Sequence, residues 1–462
     1  MRLIDLTIEE LGKIDYACSC GHHHHIGIEQ IAIEEGAIKK LPDFLKEQKK
    51  KDGTLLSQWD KILVTADVNT WKAAGEEVFE LIKSCGWNAV SYIFPYKEMH
   101  TEETHIQELK QQVTEDVALM IAVGSGTMND LNRYVSFQKN IPYYIVGTAP
   151  SMDGYASNVS PVILNHLKVS CPAHCAAAII GDTAILAKAP KKMIAAGIGD
   201  ILAKFLDIND WYLSKLINGE SYCEEVAELM IFSTEKCISQ IDGLKNRKPE
   251  AFQALMESLV MIGIAMAYVG SSRPGSAAEH SMAHVMEMQS IFKGGYGELH
   301  GTCVGMATCM ITKMYEYFLS LPMDYEKARQ HANRFCYDRW KGNIEKLFQA
   351  AAVSVFGVYE KTGQNEPKNV IRRIEAIQKK EKEVIERIQK TVERSRHAPE
   401  WIGVLGGKTN PKEFGFTREE FREILLYSKE QRDRYAALQF FYDMGLLEEL
   451  TEEILEEYYG QE

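Results

Sequence analysis

The sequence predicts a chain in two parts: an α/β segment with a mostly parallel, helix-covered sheet over residues 1–190, and an all-helical segment over 191–462. Three observations lead there. At 462 residues the chain exceeds what one hydrophobic core usually organises, so two domains are expected. From Ile26 to Pro190 short β-rich runs alternate with helix-like runs, the pattern of a parallel sheet with helices on its faces. From Met193 onward nearly every segment has helical periodicity and few strand signals.

In chain order, IGIEQIAI precedes a helical stretch ending near Lys51, and KILVTAD (Lys61 to Asp67) precedes NTWKAAGEEVFELIKSCG. NAVSYIFP precedes a polar helix, and VALMIAVG (Val117 to Gly124) precedes TMNDLNRYVSF. IPYYIVGT (Ile141 to Thr148) adds a buried strand, and KVSCPAHCAAAIIGDTAIL reads as a strand or hairpin closing the first part. In the second part long helices are expected at Ala251 to Val269, Thr302 to Leu319 and Val370 to Arg394. Val370, Ile374, Ile377, Val384, Ile388 and Val392 fall near heptad spacing, but the run covers few heptads and Glu381 interrupts it, which favours packing against a neighbour over a long coiled coil.

An apolar content of 45% with 25% charged residues is that of a folded globular protein and argues against disorder. The net charge of -13, with the positive residues scattered, argues against a nucleic-acid surface. The N-terminus, MRLIDLTIEELGKIDYACSC, carries acids early and lacks the apolar core of a secretory signal. No uninterrupted apolar run reads as long enough to span a bilayer, so a cytoplasmic protein without membrane insertion is expected. Ten cysteines, most inside apolar stretches, read as reduced thiols packed as small hydrophobes.

Chemistry concentrates in a few stretches. In SSRPGSAAEHSMAHVMEMQSIFKGGYGELHGT (Ser271 to Thr302), His280 and His284 stand four residues apart, on one face of a helix, and His300 opens the next apolar run. Such histidines are also common as polar residues of a helix surface. Asp200, in GIGD, either caps the helix it leads into or joins two imidazoles in a three-ligand set that leaves a coordination position open, as catalytic metal sites do. Cys171 with Cys175, and the Cys18-Ser-Cys20-Gly-His22-His-His-His25 cluster, compete as metal candidates; the four histidines from His22 to His25 can also bind metal adventitiously. Gly124-Ser125-Gly126-Thr127-Met128 lies between a strand and a helix, where flexible glycines and free N–H groups suit a pyrophosphate, although the third glycine of the dinucleotide fingerprint is missing. Asp67, at a strand end, is placed either to take ribose hydroxyls, with an acid there disfavouring a 2′-phosphate, or to cap a helix. The loop Thr148-Ala149-Pro150-Ser151 through Ser157, rich in small and hydroxyl residues, suits a cofactor or simply a turn.

Together GSGTMND, TAPSMDGYAS, GIGDILAK, SRPGSAAEHSMAH and RDRYAALQFFYDMGLLEE resemble, in order, the bacterial glycerol-1-phosphate dehydrogenases, of the superfamily of iron-type alcohol dehydrogenases, glycerol dehydrogenase and dehydroquinate synthase. The resemblance runs from about residue 15 to the C-terminus. It implies a Rossmann-like α/β domain and a helical domain with the active site in the cleft between them. It also implies a homodimer that interconverts dihydroxyacetone phosphate and sn-glycerol 1-phosphate with NAD(H) or NADP(H) and one divalent metal, nickel or zinc. On matching positions it implies Asp200, His280 and His300 as metal ligands and Asp153, His284 and Asp200 at the substrate. Asp67, Gly124, Ser125, Gly126, Thr127, Met128, Thr148, Ala149, Pro150, Ser151 and Ser157 would hold the cofactor. The substrate phosphate needs a cation, for which Lys204 and Arg273 are candidates, both of them equally suited to surface or interdomain salt bridges. A lyase of the dehydroquinate synthase type, a glycerol dehydrogenase and a non-catalytic metal- or nucleotide-binding protein are the competing readings.

Overall fold

The structure, a computed structural model, describes residues 2–164 and 167–460. The chain forms two compact units: Met1–Gly197 with Glu228–Ser271, and Ile198–Ala227 with Ser272–Glu462.

After a short helix at Ile8–Lys13 the first unit forms a two-stranded antiparallel hairpin, β1 (Asp15–Ala17) and β2 (His23–His25), which the alternation of apolar runs does not signal. Its main sheet holds β3 (Gln30–Glu34), β4 (Lys61–Asp67), β5 (Ala89–Phe94), β6 (Val117–Gly124), β7 (Tyr143–Gly147) and β10 (Ala178–Asp182); β8 (Val159–Leu164) and β9 (Leu167–Pro172) form a separate antiparallel hairpin. The six strands are all parallel, in the order β3-β10-β7-β6-β4-β5. The four inner strands β10, β7, β6 and β4 are buried on both faces, which is why they read as near-continuous apolar runs, with Val64, Ile121, Val146 and Ile180 fully covered, whereas edge strand β5 leaves Ile93 exposed. β3 starts later than IGIEQIAI suggests, because Ile28 N–H bonds to the Gly12 carbonyl and sheet pairing begins only at Gln30.

From β4 the chain moves outward to β5 and then returns past β4 to lay down β6, so the strand order reverses between β4 and β6. In open parallel sheets the crevice beyond the carboxyl ends of such a pair is where ligands bind.

The Pro249–Val269 helix is, by length and composition, long and apolar enough to cross a membrane, with a mean hydropathy of 1.6 over an 18-residue window, although Glu257 keeps it from being an uninterrupted apolar run. It is apolar because it is interior: 72% of that window is buried, and Gly263 lets it approach the Asp153 carbonyl and the Ala156 backbone.

The second unit is helical. At its centre the His300–Ser320 helix buries Val304, Met306, Met310 and Met314 completely. The Val370 to Arg394 stretch is two helices, Pro367–Lys379 and Glu381–Ser395, broken at Lys380. The heptad-like residues on them are all core, from Val370 at 0% exposure to Val392 at 8%. None of the ten cysteines, all among the described residues, is in a disulfide.

Candidate active site

In the first unit the residues expected at the cofactor gather where the sheet topology predicts. Asp67 ends β4 and Gly124 ends β6, the two strands flanking the reversal. Ser125 is the N-cap of the Gly126–Lys139 helix, so Gly126, Thr127 and Met128 form its first turn, whose N–H groups have no partner within the helix. Thr148 lies just past β7 and is tied to β6 by its N–H bond to the Gly124 carbonyl at 2.9 Å. Asp67 Oδ1 accepts the N–H groups of Asn69 (2.7 Å) and Thr70 (2.9 Å), so it does cap a helix turn at the strand's end. Ser157 spends its hydroxyl on its own turn, donating to the Val159 carbonyl at 3.0 Å. Tyr155 donates its phenol to the Ala149 carbonyl and so fixes the Thr148–Ser151 loop. Asp153 is buried at the N-cap of the short Gly154–Ala156 turn. A groove of about 470 Å³ in this unit, lined by Lys49, Lys50, Pro142, His174 and Ala177, opens at the amino ends of β7 and β10, the wrong edge for a nucleotide in this topology.

In the second unit Asp200, His280 and His300 come together, each offering one ligand atom, all within 4.8 Å of one another. Asp200 lies near the end of the Lys191–Leu202 helix, His280 in the first turn of the Ala278–Phe292 helix, and His300 begins the His300–Ser320 helix. The GIGD glycines make this possible: a Cβ on Gly199 would sit 2.3 Å from the Gly301 carbonyl oxygen and 3.0 Å from Gly305 Cα. Only hydrogen at that position lets the Asp200 helix touch the backbone of the helix bearing His300.

Each imidazole is oriented by a buried carboxylate. His280 Nδ1 faces Glu279 Oε1 at 2.7 Å, which turns Nε2 to Asp200 Oδ1 at 3.4 Å. His300 Nδ1 faces Glu287 Oε1 at 2.6 Å. A carboxylate on the far nitrogen fixes the tautomer and raises ligand basicity, the usual support of a metal-binding histidine. Asp200 is fully buried, which opposes its charge, yet the Lys204 ammonium, then His280 and His300, hold its carboxyl well below the usual carboxylate range. Burial likewise opposes charge on Glu279, but the hydrogen bonds with His280 and Asp207 and the His280 charge together outweigh it, bringing that group down to about 2. For His280, burial and Lys204 lower the pKa, but Asp200 and Glu279 outweigh them and raise it. A site of two imidazoles and an ionised carboxylate fits a divalent ion of borderline softness. A second grouping, Asp207, Glu279 and His280, is wholly buried and shares His280 through its Nδ1 side; its charge is met by Lys204, 3.4 Å from Asp207.

His284 lies half-buried at the edge of this centre, its ring stacked on His300 with centroids 5.3 Å apart. Arg432 Nη2 donates to His284 Nδ1 at 2.9 Å, and Arg432 Nη1 donates to Ser276 Oγ, also at 2.9 Å. Arg434 donates to the Ser276 carbonyl (3.0 Å) and to Ser272 Oγ (2.9 Å). Burial lowers the pKa of both arginines, that of Arg434 to about 9, with Arg432 repelling it further. The two candidate cations for the phosphate both stand in internal pairs. Lys204, fully buried, spans Asp200, Asp207 and the Gly275 carbonyl. Arg273 pairs with Glu220 at 2.8 Å and donates to the Asp210 and Tyr435 carbonyls. Sequence reasoning missed Glu279, Glu287, Arg432 and Arg434. The only signal for the arginines was the RDR ahead of an apolar run.

A family model described as iron-containing alcohol dehydrogenase matches residues 32–190. A glycerol-1-phosphate dehydrogenase [NAD(P)+] of Bacillus licheniformis is 28% identical over 93% of both chains. That of Geobacillus thermodenitrificans is 32% identical over 74% of this chain and 85% of its own. Among solved structures, glycerol dehydrogenase from Schizosaccharomyces pombe shares the fold with a TM-score of 0.59 at 14% identity, over 95% of this chain and 93% of that one. NADH-dependent butanol dehydrogenase A from Thermotoga maritima does so with a TM-score of 0.55 at 14% identity, over 93% of this chain and 100% of the other. With that likeness extending over most of the Geobacillus protein, the chain belongs to the glycerol-1-phosphate dehydrogenase family, among the iron-containing alcohol dehydrogenases.

Proposed function

We propose that the chain is an NAD(P)-dependent, metal-dependent sn-glycerol-1-phosphate dehydrogenase, interconverting dihydroxyacetone phosphate and sn-glycerol 1-phosphate by hydride transfer. The observation that carries this reading is the Asp200–His280–His300 donor set with His284 and Arg432 on its edge, in a chain of this family. A divalent ion held by Asp200, His280 and His300, nickel or zinc, would polarise the substrate's ketone oxygen, and the nicotinamide would supply the hydride.

The chain's own residues do the rest. In the direction of reduction the carbonyl carbon takes a hydride and the carbonyl oxygen a proton. His284 carries that proton on Nε2, because its Nδ1 already accepts from Arg432. Glu279 and Glu287 keep the two metal-binding rings in place. Arg432 and Arg434, drawn together on Ser272 and Ser276, take the substrate phosphate in the role for which Lys204 and Arg273 are already committed to internal pairs. Asp153 holds a substrate hydroxyl. Residues 124–128, 148–151, Asp67 and Ser157 hold the nucleotide, with Asp67 favouring NAD over NADP by repelling a 2′-phosphate. The reading extends to a homodimer in the cytoplasm, where the ten cysteines, none in a disulfide, stay reduced; sedimentation of the purified protein tests the dimer.

Metal-replete protein given dihydroxyacetone phosphate is expected to consume NADH or NADPH and to yield the sn-1 enantiomer of glycerol phosphate. No consumption of either nucleotide overturns the reading. Release of inorganic phosphate with no net change in nucleotide transfers it to a lyase of the dehydroquinate synthase type.

A further inference from the structure

The Cys18–His25 segment is the motif that the dehydrogenase leaves unused. We propose that Cys18, Cys20 and His24 hold a second metal ion, a structural zinc in thiolate and imidazole coordination, separate from the Asp200 centre.

The β1–β2 hairpin builds this site. Its strands pair Tyr16 with His24 and Ala17 with His23, so the turn between them carries both cysteines. The turn is tight: Cys18 N–H bonds to the His22 carbonyl at 2.9 Å and Gly21 N–H to the Cys18 carbonyl at 3.0 Å. Gly21 closes it with φ +85°, a conformation that glycine adopts without strain. Cys20 N–H then points at Cys18 Sγ, 3.5 Å away, which holds the two cysteines on one side of the turn.

One ligand atom from each of Cys18, Cys20 and His24 lies within 4.8 Å of the others, and Cys20 Sγ stands 3.7 Å from His24 Nε2. Zinc bonds of the usual length to sulfur and nitrogen, set tetrahedrally, place two such donors roughly 3.6 Å apart. His24 is prepared for the role: Nδ1 donates to the Tyr268 carbonyl at 2.9 Å, which leaves the Nε2 lone pair facing the sulfurs. Its ring is fully buried, stacked on Tyr268 and met edge-on by Tyr16.

Strand alternation separates this histidine from its neighbours. His23 and His25 point to the other face, where they meet Asp15 at 2.9 and 3.8 Å, and His22 is exposed. One histidine of four is therefore selected by the fold, which a run binding metal adventitiously would not require. Soft thiolates favour zinc over the harder divalent ions. The ion would clamp the hairpin to the Pro249–Val269 helix, which Tyr268 already joins to the N-terminal segment by donating its phenol to the Leu11 carbonyl.

The test is elemental analysis and cobalt(II) substitution of the full-length, untagged protein carrying His280→Ala, which empties the Asp200 centre. This background is expected to keep about one metal ion per chain, and its cobalt form to show sulfur-to-cobalt charge transfer in the near ultraviolet. Adding Cys18→Ser with Cys20→Ser, or His24→Ala, is expected to abolish both signals. Replacing His22, His23 and His25 together by alanine is expected to leave both in place. His24→Cys, which keeps three soft donors, is expected to retain the ion and so separates loss of a ligand from loss of the fold. A background without bound metal, a band that survives the cysteine replacements, or metal that departs with the exposed histidines overturns the proposal.

Discussion

The two donor clusters of this chain differ in each property that decides what a bound ion can do. Asp200, His280 and His300 offer oxygen and nitrogen, are backed by buried carboxylates, and have half-buried His284 and His300 on one side. Cys18, Cys20 and His24 offer two sulfurs and one nitrogen at a hairpin, with the His24 ring packed between Tyr16 and Tyr268. Reaction needs an open, polarising position with proton carriers beside it, whereas a staple needs soft donors and a rigid wall. One chain shows both designs, and the difference lies in donor type and surroundings more than in the number of ligands.

The largest expected effect breaks the comparison on one side only. His280→Ala is expected to lose the metal of the Asp200 centre and about a thousandfold of activity, the equivalent of ~4 kcal/mol of transition-state stabilisation, while the ion at the cysteines stays. Metal analysis paired with steady-state rates checks this. Next comes His284→Ala, expected to keep its full metal content but to lower kcat about a hundredfold, since a proton carrier is removed and a ligand is not. Arg434→Gln should be smaller still: KM for dihydroxyacetone phosphate rises about tenfold with kcat nearly unchanged, and turnover of unphosphorylated dihydroxyacetone is unaffected. Equal losses on the two substrates would remove Arg434 from the phosphate site.

The smallest effect concerns the first unit alone. Burial pushes the His174 imidazole, which bonds Ser136 Oγ and stacks on Tyr143, down to about 4 from 6.5. The folded state therefore resists a proton that the unfolded chain accepts. The corresponding stability is complete above about pH 6.5 and is lost as pH falls from there toward 4. His174→Gln is expected to flatten the pH dependence of the urea midpoint across that window, and an unchanged slope would contradict this assignment.

Much of this was legible in the residues themselves. Parallel strands buried on both faces read as continuous apolar runs, so KILVTAD and VALMIAVG announced β4 and β6 and, with them, the positions of Asp67 and Gly124. His280 and His284 announced themselves by helical spacing. What stayed hidden depends on distance along the chain. Arg432 meets His284 across 148 residues, and no local pattern records that pairing. Whether Lys204 and Arg273 serve a phosphate or an internal pair was left open in the residues, because their partners Asp207, Glu220 and the Tyr435 carbonyl are fixed only by packing. Glu279 and Glu287 read as ordinary helix acids, since in sequence nothing separates a solvated carboxylate from one buried against an imidazole. The hairpin escaped notice because its strands are three residues each, too short to show alternation.

The most direct test of the metal centre is anomalous diffraction at the nickel and zinc absorption edges, from crystals of the full-length protein loaded with its metal. A peak bonded to Asp200, His280 and His300, and missing from His280→Ala crystals, is the result predicted here. A peak among Asp207, Glu279 and His280, or none near His300, would contradict it.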